Sequence, residues 1–334
     1  SAGPSGASFF RLFLSADPVQ RILQPGEIEA LDKVSFPRVR LPQPATLFQE
    51  RAARLRQLAE GNPIADYLRF AARIVDAQQR LAAKAPAAEP VADEIVQRAN
   101  ANGMPLLPAS DALDAAWRDA LRALVADVRA DAATPAPLQP VLDRLAATDD
   151  DAFDALARQA LADNLGREDI AAAPFVMAAL QIAFSARAAV LDERTVPYAE
   201  PATICPVCAS APVATVLRIG GEAGGHRYLH CCVCETEWHM VRVKCSHCES
   251  TEGVRYQGLE GEGIAAKAKD QVVLAETCDV CHTYRKLVNQ EKDPFAEPLA
   301  DDLASLTLDL LMGETEFSRA SSNPLLAIEK PLAV

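Results

Sequence analysis

The sequence predicts an α+β fold: an all-α N-terminal region, two tandem cysteine-knuckle domains built from short strands, and a closing helix. Three observations carry this expectation. Apolar residues recur at helical spacing from about residue 45 to 192. Beyond residue 203 the pattern shortens to strand-length runs separated by glycines. Eight of the nine cysteines of the 334-residue chain form four Cys-x-x-Cys pairs between Cys205 and Cys281.

The helical region has a readable order. Phe48, Ala52, Leu55 and Leu58 follow one helical face, and Gly61 ends that segment. Asn62 is placed to cap the next helix, with Pro63 suited to its first turn. Ile64, Tyr67, Leu68, Ala71, Ile74 and Val75 form its apolar stripe, and Leu113, Trp117, Leu121, Leu124 and Val128 form another. Thr148 followed by Asp149, Asp150 and Asp151 marks a helix start, since a hydroxyl caps and acids favour the first turn. A helix from Asp169 to Asp192 closes the region. Such stripes are packing faces, and they assign no function by themselves.

The boundaries expected are 1–192 for the helical domain, 193–203 for a linker with Pro197 and Pro201, 204–244 and 245–292 for the two knuckle domains, and 293–334 for the C-terminal helix and tail. Strands are expected at Val213–Ile219, His226–His230, Glu237–Val243, Val254–Leu259, Gln271–Ala275 and Thr283–Val288. Gly220-Gly221, Gly224-Gly225 and Gly261-Glu262-Gly263 punctuate them. After Pro294, Leu299, Leu303, Leu306 and Leu310 make one helical face, with Gly313 as its C-cap.

The chemistry is concentrated in the cysteines. Four thiolates close one tetrahedral site, and a Cys-x-x-Cys turn supplies two of them at low strain. Four pairs therefore suffice for two mononuclear sites of rubredoxin-like or zinc-ribbon type. Sequential pairing gives Cys205, Cys208, Cys231 and Cys234 as one ligand set and Cys245, Cys248, Cys278 and Cys281 as the other. An interleaved pairing would thread the two halves through one another. The halves also repeat. Cys231-Cys232-Val233-Cys234-Glu235-Thr236 and Cys278-Asp279-Val280-Cys281-His282-Thr283 share a Val before the second cysteine and a Thr two residues after it. Cys232 stands outside the knuckle spacing and reads as a free thiol. Thiol–disulfide exchange would leave three pairs unexplained and needs a βαβ context that is absent. Cys278-Asp279-Val280-Cys281-His282 matches a haem-attachment string only once. An iron–sulfur cluster also takes four cysteines, but paired knuckles suit a single ion better. Four thiolates fit zinc and iron alike. All five histidines lie in this same segment, and with the cysteines filling both sites they read as supporting or surface residues. His282, directly after a cysteine, is placed to donate to sulfur.

Composition narrows the function classes. Half the residues are hydrophobic, which excludes a disordered chain, and the formal charge is −13. The segment 201–290 holds nine Lys/Arg against ten Asp/Glu, so the acidity lies elsewhere and no basic stripe offers itself to free nucleic acid. The run Phe9–Leu14, broken by Arg11, is too short for a secretory signal. Ile170–Phe184 is too short for a membrane span and holds Gln181. These readings give a cytoplasmic location without membrane insertion, where paired cysteines hold metal more often than they form disulfides. No nucleophile–base signature or phosphate loop argues for an enzyme. The sequence leaves a homodimer open.

Tyr228–His239, Val241-Arg242-Val243-Lys244-Cys245, Glu291-Lys292-Asp293-Pro294 and Ala300–Leu306, together with the four cysteine pairs, resemble the signature of the bacterial FdhE family of formate dehydrogenase accessory proteins. The likeness is dense from Cys205 to about Pro324. It implies a cytoplasmic assembly chaperone. Its partner would be the catalytic subunit of formate dehydrogenase, bound before twin-arginine export. It also implies rubredoxin-like sites in which iron is favoured over zinc. A rubredoxin-like electron-transfer protein is the alternative, and a nucleic-acid-binding zinc ribbon is a weaker third.

Overall fold

A computed structural model describes residues 36–260 and 270–327 of the chain. The Phe9–Leu14 run, the Gly261-Glu262-Gly263 punctuation and the end of the expected tail lie outside the described residues.

The chain enters through a short strand, β1 (Val39–Arg40). Seven helices follow: α1 (Pro44–Leu58), α2 (Ala65–Ala82), α3 (Asp93–Asn102), α4 (Ala115–Ala130), α5 (Gln139–Ala147), α6 (Asp150–Leu161) and α7 (Ala173–Ala189). Each has a local reason. Pro44 occupies the first turn of α1, and Phe48, Ala52 and Leu55 turn inward together. In α4, Trp117, Leu121, Leu124 and Val128 are all buried, and Asp114 caps the helix by accepting the Ala116 N–H at 3.0 Å. Helix α7 is buried nearly all round, so it forms the centre against which α2, α4 and α6 pack.

Two helix starts differ from expectation. Asn62 does not cap α2 directly. Its Oδ1 accepts the Ile64 N–H at 3.1 Å, its Nδ2 donates to the Ala304 carbonyl at 2.9 Å, and the helix begins at Ala65. Asp149, not Thr148, caps α6. The carboxylate accepts the Ala152 N–H at 2.9 Å, while the Thr148 hydroxyl turns back to the Arg144 carbonyl. A carboxylate is the stronger acceptor at a positive helix end.

Strands β2 (Pro212–Leu217), β3 (Arg227–Cys231), β4 (Glu237–His239), β5 (Val254–Gln257), β6 (Val273–Cys278) and β7 (Thr283–Asn289) follow. Two short helices, α8 (Pro298–Ala304) and α9 (Leu306–Met312), and strand β8 (Ser318–Arg319) complete the described elements. The expected strand over Glu237–Val243 stops at His239; Met240 still donates its N–H to the Arg227 carbonyl in register, and the chain then turns, with the Lys244 N–H on the Val241 carbonyl.

The two knuckle domains share one sheet, in the order β1-β4-β3-β2-β7-β6-β5, with β8 beside β7. Within each half the pairing is antiparallel. The halves meet where β2 runs parallel to β7, from Ala214 opposite Lys286 to Leu217 opposite Asn289. The first strand of one half thus abuts the last strand of the other.

The expected single C-terminal helix is broken at Ser305. Leu303 is buried against α1 and α2 and Leu299 against β2 and β7, whereas Leu310 is 67% exposed. The break has a chemical cause. The amine of Lys286, itself buried, takes the Asp302 carbonyl at 2.7 Å in place of the helical ladder, and it also takes the Ser305 carbonyl at 3.2 Å, which accepts the Leu308 N–H at the start of α9. Gly313 keeps a right-handed conformation and is not a left-handed cap. Among the described residues, no helix is long and apolar enough to cross a membrane.

Candidate metal centres

The cysteine pairs sit in four copies of one turn. Five non-glycine residues among those described have positive φ, and four of them directly follow the second cysteine of a pair: Ala209, Glu235, Glu249 and His282. A left-handed residue costs an L-amino acid roughly 1–2 kcal/mol, so its recurrence needs a return. The return is the closed turn. The N–H groups of Cys205, Cys231 and Cys245 reach the carbonyls of Ser210, Thr236 and Ser250 at 3.0, 3.0 and 2.7 Å. Cys278 faces Thr283 in the same register. Each turn swings two sulfurs to one side.

The sulfurs gather in two groups. Those of Cys205, Cys208, Cys231 and Cys234 all lie within 4.8 Å of one another, as do those of Cys245, Cys248, Cys278 and Cys281. The grouping is therefore sequential. In the first, Cys205–Cys234 and Cys208–Cys231 are separated by 3.4 and 3.3 Å. In the second, Cys245–Cys281 and Cys248–Cys278 are each 3.8 Å apart. Four sulfurs at about 2.3 Å from one ion stand roughly 3.8 Å from each other, so the second group fits a tetrathiolate ion as it stands and the first is slightly contracted. No disulfide joins any of the nine cysteines.

The electrostatics agree with a cation among the thiolates. Burial pushes the thiols of Cys205, Cys231 and Cys234 well above the ordinary thiol range and Cys245 up to about 12, whereas at Cys208 and Cys281 hydrogen bonds from the neighbouring groups outweigh burial and hold one thiol of each set below that range. Such a set ionises together only around a positive charge. Further donors already point at sulfur. The N–H groups of Val233 and Cys234 lie 3.3 and 3.4 Å from Cys231 Sγ, and that of His247 lies 3.4 Å from Cys245 Sγ. Two hydroxyls also lie beside sulfur: Cys234 Sγ donates to Thr236 Oγ1 at 3.2 Å, and Thr283 Oγ1 is 3.1 Å from Cys281 Sγ. The Thr shared by the two repeats thus places a hydroxyl against the second sulfur of its knuckle. Cys232 belongs to neither group. It is half-buried, and its carbonyl accepts from Gln181 at 2.9 Å.

The first group lies inside the helical core. All four of its cysteines are buried in the same apolar cluster as Trp117, Leu121 and Phe184. The chain between α3 and α4 covers it, where the N–H groups of Leu106, Leu107 and Ala109 bond the carbonyls of Pro206, Val207 and Cys208. Gln181, the polar break in the apolar run of α7, spans from the Gln78 amide to Cys232.

A buried ion network adjoins this group, and the sequence reading did not foresee it. Arg51 on α1 is wholly buried. It donates to both oxygens of Glu235 at 2.9 and 2.6 Å and to Glu297 at 2.9 Å. His230 bridges Glu235 and Glu237, with ring nitrogens 2.7 and 2.9 Å from the two carboxylates. Burial alone would lower its pKa, but the two carboxylates outweigh burial and raise it to about 9. Arg40 and Arg218 complete the pairing of Glu237. The partners are about 180 residues apart in sequence, and no local pattern announces them. His282 also departs from expectation. Its ring faces Glu316 at 3.2 Å, and its backbone N–H bonds Cys278 O, so neither donor goes to sulfur. Farther along, Arg285 on β7 is buried and ties the halves together. It donates to Ser246 Oγ of the third knuckle at 3.1 Å and to the Pro212 carbonyl at the start of β2.

Comparison with known proteins places this arrangement. Three family models cover the chain in succession: "FdhE, N-terminal" over residues 36–200, "FdhE, central domain" over 204–242 and "FdhE, C-terminal domain" over 243–326. A protein FdhE homolog of Cronobacter sakazakii is 38% identical over 92% of this chain and 97% of its own. One from Pseudomonas aeruginosa is 41% identical with the same coverage. The crystal structure of the FdhE protein from Pseudomonas aeruginosa superposes with a TM-score of 0.76 at 38% identity, covering 87% of this chain and 99% of that one.

Proposed function

The chain belongs to the FdhE family, and on that premise we propose that it is an assembly chaperone for respiratory formate dehydrogenase. It acts in the cytoplasm, binds the catalytic subunit before twin-arginine export, and performs no catalysis of its own. Cys205, Cys208, Cys231 and Cys234 hold one mononuclear ion, and Cys245, Cys248, Cys278 and Cys281 hold a second. Iron is the favoured ion and zinc the alternative. Iron would add one-electron chemistry, whereas zinc would serve only as a staple.

The observation that carries this reading is the joint one: family likeness along nearly the whole chain, with two four-sulfur groups at tetrathiolate spacing. The test is co-purification from cells that express the chain with a formate dehydrogenase catalytic subunit, under anaerobic and aerobic conditions. Retention of the subunit is expected, and consistent failure to retain it under both conditions would refute the role. A second reading, electron transfer, draws on the solvent-exposed Cys248. It requires a reversible reduction by voltammetry of protein isolated from its native host, and a colourless protein containing only zinc would remove it.

A further inference from the structure

The two cysteine groups repeat one turn, yet their surroundings are opposite. Val207 and Val233 precede the second cysteine of the two knuckles of the first group, and they are 1% and 0% exposed. The residues at the same place in the second group, His247 and Val280, are both exposed, Val280 at 56%. The residue after the second cysteine tells the same story. Glu235 is locked between Arg51 and His230 with no exposed side-chain surface, whereas the side chain of His282 is 54% exposed beside an exposed Glu316. The sulfurs follow. All four cysteines of the first group are buried, but Cys248 is exposed and Cys281 half-exposed.

From this contrast we infer a division of labour between the sites, resting on the ligand assignment proposed above. The first group holds a permanent structural ion. The second holds an exchangeable ion, reached from solution at the Cys248 and Cys281 sulfurs. Exchange there is associative. A donor atom of an incoming thiolate or chelator bonds the ion as the Cys248 Sγ–metal bond breaks, and the released thiolate takes a proton from water. No oxidant or reductant is needed. At the first group the same approach is blocked by Leu106–Ala109 on one side and the α7 core on another. Release there waits for a larger opening of the fold, which is rarer than local fluctuation at an exposed turn.

The experiment uses the full chain loaded anaerobically with zinc, then mixed with an excess of a chromophoric chelator. Two equivalents are expected, leaving in two phases whose rates differ by roughly a hundredfold or more. A Cys248→Ser/Cys281→Ser variant should lose the fast equivalent and keep the slow one. Should that variant fail to fold, alkylation of the zinc-loaded wild type with peptide mapping decides the matter. Among the eight grouped cysteines, Cys248 and Cys281 should be labelled first. Two equivalents leaving in one phase, or earliest labelling at Cys205, Cys208, Cys231 or Cys234, would overturn the division alone. Binding of fewer than two equivalents would defeat the ligand assignment, and the division with it.

Discussion

Replacing Arg51 by methionine tests whether the helical region and the first metal centre form one cooperative structure. Arg51 has no exposed side-chain surface and carries three charge-assisted hydrogen bonds, two to Glu235 and one to Glu297. Glu235 is equally buried and follows the ligand candidate Cys234 directly. Methionine keeps most of the volume and removes the charge. One carboxylate then stays buried with only His230 to pair it, while Glu297, 12% exposed, can take up water. Breaking one side of a buried ion pair costs about 3–5 kcal/mol. Against a typical stability of roughly 5–15 kcal/mol, the variant should still fold but with a much smaller margin. Urea unfolding of the zinc-loaded protein should show a midpoint lower by about 1–2 M, taking a slope near the upper end of the range for small proteins. The chain has two tryptophans, Trp117 among the helices and Trp238 on β4, and both are buried. Their fluorescence should report one transition. The double variant Arg51→Met/Glu235→Gln removes the orphaned charge as well, and should recover roughly 1–3 kcal/mol of the loss. A single-variant loss under about 1 kcal/mol, or a double variant no better than the single, would show that this pair is not the dry bidentate contact described above.

Other expectations follow from the same geometry. Thr236→Val and Thr283→Val each remove the hydroxyl beside a sulfur, and each should weaken zinc at its own site by about 10–100-fold in competition titrations. Cys232→Ser should leave two metal equivalents by elemental analysis, because this sulfur lies in neither group. His230 is held charged by two carboxylates, with its pKa raised to about 9. Its contribution is complete below the unfolded value near 6.5 and is lost as pH rises through the folded value. At its full extent, below that unfolded value, it amounts to roughly 3 kcal/mol. The difference in urea midpoint between wild type and His230→Gln should therefore shrink from pH 6.5 to 9, and a pH-independent difference would contradict the imidazolium assignment.

What the sequence made legible was whatever its residues signal locally. Trp117, Leu121, Leu124 and Val128 declare a helix because their spacing is the helix, and all four are buried as expected. The cysteine pairs declare their turns for the same reason, down to the repeated Thr that meets the sulfur. The misses are contacts between distant segments. The break at Ser305 depends on an amine from β7, so the leucine spacing of 299–310 continues across it unperturbed. Arg51 and Arg54 carry no local signal that sets them apart from the solvent-facing residues of a helix. Only their partners Glu235 and Asp301, far along the chain, make them buried. His230 could be placed on a strand, but its two glutamates are brought to it by the knuckle turn at Glu235 and by β4 at Glu237.

The parallel joint between β2 and β7 explains how one repeated turn came to have two different environments. Each half is a three-stranded antiparallel unit, so its first and last strands run the same way. Halves related by a two-fold axis would pair like edges, and that pairing is antiparallel. Halves related by translation pair the first strand of one with the last of the other, and that pairing is parallel. The observed register of Ala214–Leu217 on Lys286–Asn289 is the translational case. Translation keeps both cysteine groups at the same end of the common sheet but displaces the second along it. The segment Leu106–Ala109 and α7 cover the first group and not its repeat. The symmetry of the turns thus comes from the repeat, and the asymmetry of access comes from helices that cover only one copy of it.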